Sequence, residues 1–184
     1  MTMLKILHFP DKRLRQKAKH IIEFTPAIKQ HIANMFETMY STPNTAGLAA
    51  VQMNILHRII VIDLSPAKDQ PLCLVNPEIT WKSEETTFHE EGCLSVPGGI
   101  YEPVERAKEI EFKALDATGK EYTRKADGFL SACVQHEIDH LDGILFVDYL
   151  SNFKRDWILR KIKKWQKIQE KEKREAREAE DLVV

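Results

Sequence analysis

Two histidines stand four residues apart in the stretch QHEIDH, Gln135 to His140, with a glutamate directly after the first. On a helix that spacing puts both imidazoles on one face, where they can converge on one ion. Glu137 then lies beside the ion without ligating it, where a carboxylate can take a proton from water. Two imidazoles leave a catalytic ion short of the usual three protein ligands and one exchangeable position. The residues alone offer two kinds of third ligand. One is a downstream acid, either Asp142, close in sequence, or Glu170, in a charged run. The other is Cys93 in EGCLS, far upstream on a loop with a glycine beside it, whose thiolate would bind zinc or ferrous iron strongly. Asp139 points off the face of the pair and is expected to orient a ligand histidine or a nearby Arg or Lys. Cys73, inside LCLVN, and Cys133, one turn before His136, read as core residues.

These residues need a scaffold. Thr25 and Pro26 open a helix whose Ile28, Ile32, Met35, Phe36 and Met39 share one face, ending near Tyr40. A shorter helical turn is expected after Pro10 and Asp11. HRIIVIDL and PLCLVNPEIT read as strands, WKSEETTFHEE as extended and half-exposed, and Gly98-Gly99 as a tight turn. KEIEFKALD alternates with period two, ATGK supplies a turn and EYTRKA returns as the second arm of a hairpin. From about Asp127 the pattern becomes helical through QHEIDH, with Gly143 at its stop. A last helix is expected from about Asn152 into the 170s, with Phe153, Trp157, Ile158, Ile162, Trp165 and Ile168 as its apolar stripe. The expectation is an α+β fold: antiparallel β-sheets around a central metal-binding helix, with a C-terminal helix. Residues 1–168 form one catalytic domain and 169–184 a charged helix extension or frayed tail.

With 30% charged residues and a net charge of -1, the composition is that of a globular chain and gives no sign of sequence-specific DNA binding. No run approaches the roughly 18 apolar residues of a membrane span, and the start lacks a secretory cleavage pattern, so a cytoplasmic protein with reduced thiols is expected. Charge is uneven only locally. Lys154 to Lys167 holds seven basic residues against one acidic residue, Asp156.

Three segments together resemble the peptide deformylases: TAGLAAVQ from Thr45 to Gln52, EGCLS from Glu91 to Ser95, and QHEIDH. ILHFPDKRLRQKA and FVDYLS are also similar to the family, so the resemblance spans about residues 4 to 152. It implies that Cys93, His136 and His140 ligate the metal, with water as fourth ligand, and that Glu137 is the catalytic acid-base residue. Gln52 and the Leu94 N–H would be oxyanion donors. Ala46, Gly47 and Glu91 would lie along the substrate, and Phe129, Ala132 and Cys133 beside its methionine side chain. The implied reaction is removal of the formyl group from N-formylmethionine at the start of new bacterial or organellar polypeptides. Ferrous iron would be the usual ion, with zinc or nickel on the same ligands, and the basic C-terminal helix could contact ribosomal RNA.

Two positions depart from the family pattern. Thr45 stands where a glycine is usual, and Ile100 where many bacterial members carry an arginine. A general metallopeptidase would instead use an acidic third ligand and cleave internal peptide bonds. A noncatalytic zinc module would need a fourth protein ligand, for which His8, His20, His31, His57 and His89 are poorly placed.

Overall fold

The computed structural model describes residues 4–181. A five-stranded antiparallel sheet has the order β1-β2-β3-β6-β7, with β1 at Gly47–Ala49, β2 at Ile59–Ile62, β3 at Leu72–Lys82, β6 at Glu109–Leu115 and β7 at Glu121–Asp127. A second sheet pairs β4, Thr86–Glu91, with β5, Glu102–Ala107. Three α-helices complete the fold: α1 at Pro26–Ser41, α2 at Gly128–Leu141 and α3 at Asn152–Asp181.

All four residues of β2 are buried because both faces of the large sheet are covered. Ile59 and Val61 pack with the apolar face of α1, through Ile28, Ile32, Met35 and Met39. Ile60 and Ile62 point the other way, into a cluster that includes Val134 and Leu141 of α2. The two-residue alternation of a strand thus divides the core between two helices. On its other side α2 meets β5 of the small sheet.

Local chemistry sets the helix ends. Thr25 Oγ1 accepts from Ile28 N at 3.4 Å and Pro26 takes the first position of α1. After α2 the chain turns at Gly143, with φ 77°, and a Cβ there would lie 2.5 Å from the Arg15 carbonyl oxygen. Only glycine satisfies both the left-handed backbone and this close approach.

Three features differ from the sequence reading. β1 and β5 were not expected: β1 is three residues long, and β5, EPVERA, starts with Glu-Pro and alternates charges with Val104 and Ala107. The stripe of α3 is also narrower, with Ile158 and Ile162 fully buried but Phe153 76% exposed and Trp157 and Ile168 on the surface. The helix nevertheless continues to Asp181. Its last turns are rich in Glu, Lys, Arg and Ala, good helix formers, and carry Lys171–Glu175 and Arg174–Glu178 pairs four residues apart. Of the helix extension or frayed tail expected from residue 169 onward, residues 182–184 lie outside the described residues.

Candidate metal centre and active-site cleft

His136 and His140 project from the buried side of α2, their ring centroids 4.9 Å apart. Cys93 reaches them from the loop directly after β4, its Sγ 3.2 Å from His140 Nε2. One ligand atom from each of the three residues lies within 4.8 Å of the others. A thiolate and two imidazoles form a donor set for zinc or ferrous iron. The electrostatics agree with a cation here. Burial opposes charge on His136, but its interactions with Cys93 and Glu91 outweigh burial and hold its pKa well above the ordinary value. His140 moves the opposite way, pushed well down by burial and by the positive charge of His136.

The second layer is built on Arg106 of β5. Its Nε and Nη2 donate to the two oxygens of Glu91 at 2.7 and 3.0 Å, its Nη1 donates to Asp139 at 2.6 Å, and its guanidinium stacks over Tyr149. Glu91 Oε2 also meets His136 Nδ1 at 2.8 Å, which fixes the ring and leaves Nε2 as its free nitrogen. Burial raises the Glu91 pKa, but the hydrogen bonds from His136 and Arg106 prevail and hold it at about 2. Glu91 is therefore an anion at neutral pH although nearly buried.

Glu137 follows His136 on α2 and is also buried, yet its Oε2 has no hydrogen-bond partner among the described residues. Burial raises its pKa to about 7, with His136 opposing and Glu91 adding to the rise. Gly47 explains how a chain segment passes so close. A Cβ at that position would lie 3.0 Å from Glu137 Oε1 and 3.2 Å from Cys133 Sγ. Gln52 is buried and held at both ends: Oε1 accepts from Ala49 N at 2.8 Å, while Nε2 faces Ser95 Oγ at 3.2 Å and Cys93 Sγ at 3.5 Å. The Leu94 N–H donates to no protein acceptor among the described residues.

A cleft of about 460 Å³ collects Ala46, Gly47, Gln52, Glu91, Cys93, Leu94, Phe129, Ala132, Cys133, His136 and Glu137. His140 lies behind them, 1% exposed. Phe129 stands on the rim at 55% exposure. Glu91 lines the cleft, with its carboxylate held by Arg106 and His136. Asp142, weighed as a ligand, pairs with Arg58 at 2.8 Å instead. Thr45 fits without left-handed backbone, which falls on Asn44 with φ 57°. Its hydroxyl donates to the Thr42 carbonyl at 2.9 Å, and its own carbonyl accepts from Lys68 Nζ at 2.9 Å. Ile100 is buried in an aliphatic cluster with Leu7, Val96 and Val104. Arg106, Tyr149 and Lys68 carried no local signal, because their partners are distant in sequence. For Arg106, the one available cue was an arginine two residues from Val104 in a strand the sequence did not reveal.

The polypeptide deformylase family model matches residues 3–156. Peptide deformylase 1 of Pseudomonas syringae pv. tomato is 49% identical over 168 residues, covering 91% of this chain and 99% of that protein. The peptide deformylase of Cellvibrio japonicus is 50% identical, with 91% and 98% covered. Among solved structures, a peptide deformylase from Legionella pneumophila superposes with a TM-score of 0.86 at 43% identity, covering 91% of this chain and 98% of that one. The Ehrlichia chaffeensis enzyme in complex with actinonin gives 0.84 at 40%, with 89% and 98% covered. With a cysteine and two histidines close enough to share one ion, a glutamate beside them and likeness along nearly the full length of these proteins, the chain belongs to the polypeptide deformylase family.

Proposed function

We propose that Cys93, His136 and His140 hold one divalent ion at the floor of the cleft, and that Glu137 moves the protons in hydrolysis of the formyl group from the N-terminal formylmethionine of new polypeptides. Water adds to the formyl carbon, the C–N bond breaks, and formate and a free amino terminus leave. When bound, the ion supplies Lewis acidity, which lowers the pKa of water and draws charge from a carbonyl oxygen. Glu137, with a pKa of about 7, accepts a proton as water attacks and returns it to the departing nitrogen. Gln52 Nε2 and the Leu94 N–H donate to the oxygen on which charge collects; the Ala49 bond to Oε1 keeps the amide turned that way. Glu91 and Arg106 act through His136 as positioning residues.

Among the described residues β1 pairs only with β2, and its other edge gives an extended peptide backbone a strand to join beside Gly47. Leu94, Phe129, Ala132 and Cys133 offer the unbranched methionine side chain an apolar wall. Residues 1–168 serve as the catalytic unit. Ferrous iron is the ion we assign, and zinc or nickel suits the same donors. No helix among the described residues is long and apolar enough to cross a membrane; a cytoplasmic place, where new chains emerge, fits this reading. Exposed Arg160, Lys161, Lys163, Lys164 and Lys167 on α3 are assigned to ribosomal phosphate. Reversing the charge of Lys163, Lys164 and Lys167 tests that contact without removing the buried Ile158 and Ile162; ribosome co-sedimentation equal to wild type would reject it.

The convergence of Cys93, His136 and His140 beside a buried glutamate oxygen carries the reading. Its test is anaerobic formate release from a formyl-methionyl peptide with metal content measured and an acetyl-methionyl peptide as control. Formate from the first peptide alone is expected, with a loss of about 10²–10⁴-fold in Glu137→Gln at unchanged metal content. Equal rates for Glu137→Gln and wild type would remove the assignment of Glu137. Full metal binding by Cys93→Ala would remove the ligand set.

A further inference from the structure

One wall of the cleft comes from outside the metal-binding motifs. On α3 the buried seam runs through Ile158 and Ile162, both fully buried, and reaches Trp165 one turn later, where the core has ended. Trp165 there borders the cleft and is only partly covered. The Gly98-Gly99 turn approaches it closely, since a Cβ on Gly98 would sit 3.9 Å from Trp165 Cβ and 4.0 Å from Ile100 Cδ1. His8 closes the wall from the N-terminal segment, its ring edge-on to Trp165 with centroids 5.1 Å apart. Burial, with Lys5 and Lys173 nearby, lowers the His8 pKa, so its imidazole is neutral at pH 7. His8, Gly98 and Trp165 therefore make an uncharged stretch of the same cleft as Glu137, to which Ile100, at 3% exposure, adds little surface.

We infer that Trp165 is a specificity-determining residue: it offers an apolar face to the peptide residues following formylmethionine and so favours substrates that are aromatic or aliphatic there. This rests on the proposed deformylation. The methionine side chain occupies the wall formed by α2. Along an extended backbone successive side chains point to opposite sides, so the residues that follow cannot all share that wall. Trp165 is the large apolar side chain that α3 contributes to the cleft, and a planar indole gives contact area at little cost in rotamer freedom.

The test compares kcat and KM for formyl-Met-Leu-Phe and formyl-Met-Ser-Ser in wild type, Trp165→Ala, Trp165→Phe and Trp165→Gln, with metal content and melting temperature recorded for each. Wild type is expected to favour the apolar peptide by about tenfold or more in kcat/KM. In Trp165→Ala that preference should fall to within about threefold, through a higher KM for the apolar peptide, and Trp165→Phe should restore most of it. If the alanine variant does not fold, Trp165→Gln keeps much of the bulk and makes the wall polar, with the same loss of preference expected. Two results would overturn the inference: no preference in wild type, or undiminished preference in a folded, metal-loaded Trp165→Ala or Trp165→Gln. An equal fall in kcat for both peptides would mark Trp165 as structural and also overturn it. Failure of the metal-loaded wild type to release formate from either peptide would remove the deformylation reading beneath it, which is a separate outcome.

Discussion

Replacing Arg106 by alanine should weaken the fold and the metal site together, although Arg106 is not one of the three proposed ligands. Arg106 is 5% exposed, and its guanidinium answers two carboxylates, Glu91 and Asp139, with three hydrogen bonds of 2.6 to 3.0 Å. Removing one partner of a buried ion pair typically costs about 3–5 kcal/mol, because the charge left behind is neither hydrated nor paired. Two features place the expected loss near the lower end. Asp139 keeps the Tyr149 hydroxyl at 2.9 Å and its side chain is 17% exposed, while Glu91 keeps His136. A loss of about 3 kcal/mol is therefore expected from urea unfolding of the chelated protein at pH 7. Metal affinity should also fall about 10–100-fold in a competition titration, since Glu91 would no longer hold His136 in one orientation. Arg106→Lys should recover little, because one ammonium cannot match the two-pronged contact to Glu91 while also reaching Asp139. Lys108→Ala, which breaks an exposed pair with Glu85, is the control and should leave the unfolding midpoint in place. A loss under about 1 kcal/mol for Arg106→Ala at unchanged m-value would refute the burial argument. Wild-type metal affinity would refute the positioning argument.

The remaining predictions concern residues nearer the chemistry. Gln52→Ala should lower kcat by about 10²-fold at full metal content, because one donor to the developing oxyanion is lost; a change under threefold would assign Gln52 to bracing Ala49 and Ser95 only. Gly47→Ala should reduce turnover by displacing Glu137 or the β1 edge, since its new methyl would start 3.0 Å from Glu137 Oε1; an unaltered kcat/KM would show that the segment yields freely. For Glu91, the folded pKa of about 2 lies below its ordinary 4.5, so its stabilisation is complete above pH 4.5 and is lost as pH falls toward 2. The stability gap between chelated wild type and Glu91→Gln should therefore close over that range, and a gap independent of pH would contradict the assigned charge. Loading iron should make activity sensitive to air through oxidation of the ferrous ion, whereas zinc, which has no redox chemistry, should not; equal decay of both forms would reject oxidation of the ion as the cause.

The four-residue histidine spacing, the capped α1 helix and the period-two hairpin β6–β7 were legible in the chain because each depends on neighbours a few residues apart. So were the Thr25 cap and the buried stripe from Ile28 to Met39. EGCLS and TAGLAAVQ pointed to Cys93, Gln52 and Gly47 through family likeness, while the residues alone left the third ligand open between a cysteine and an acid. Tertiary structure supplied the proximities that local pattern could not. It brought Cys93 to His140 across 47 residues of separation and Arg106 to both Glu91 and Asp139. It also showed β5 as the strand that carries Arg106, and it turned Trp165 from one member of a helix stripe into a wall of the cleft. Periodicity tells which side of an element is apolar, but not where along that side the core ends and a cavity begins. That depends on what packs opposite, and for Trp165 the opposing groups are His8 and Gly98, brought together only when the chain closes on itself.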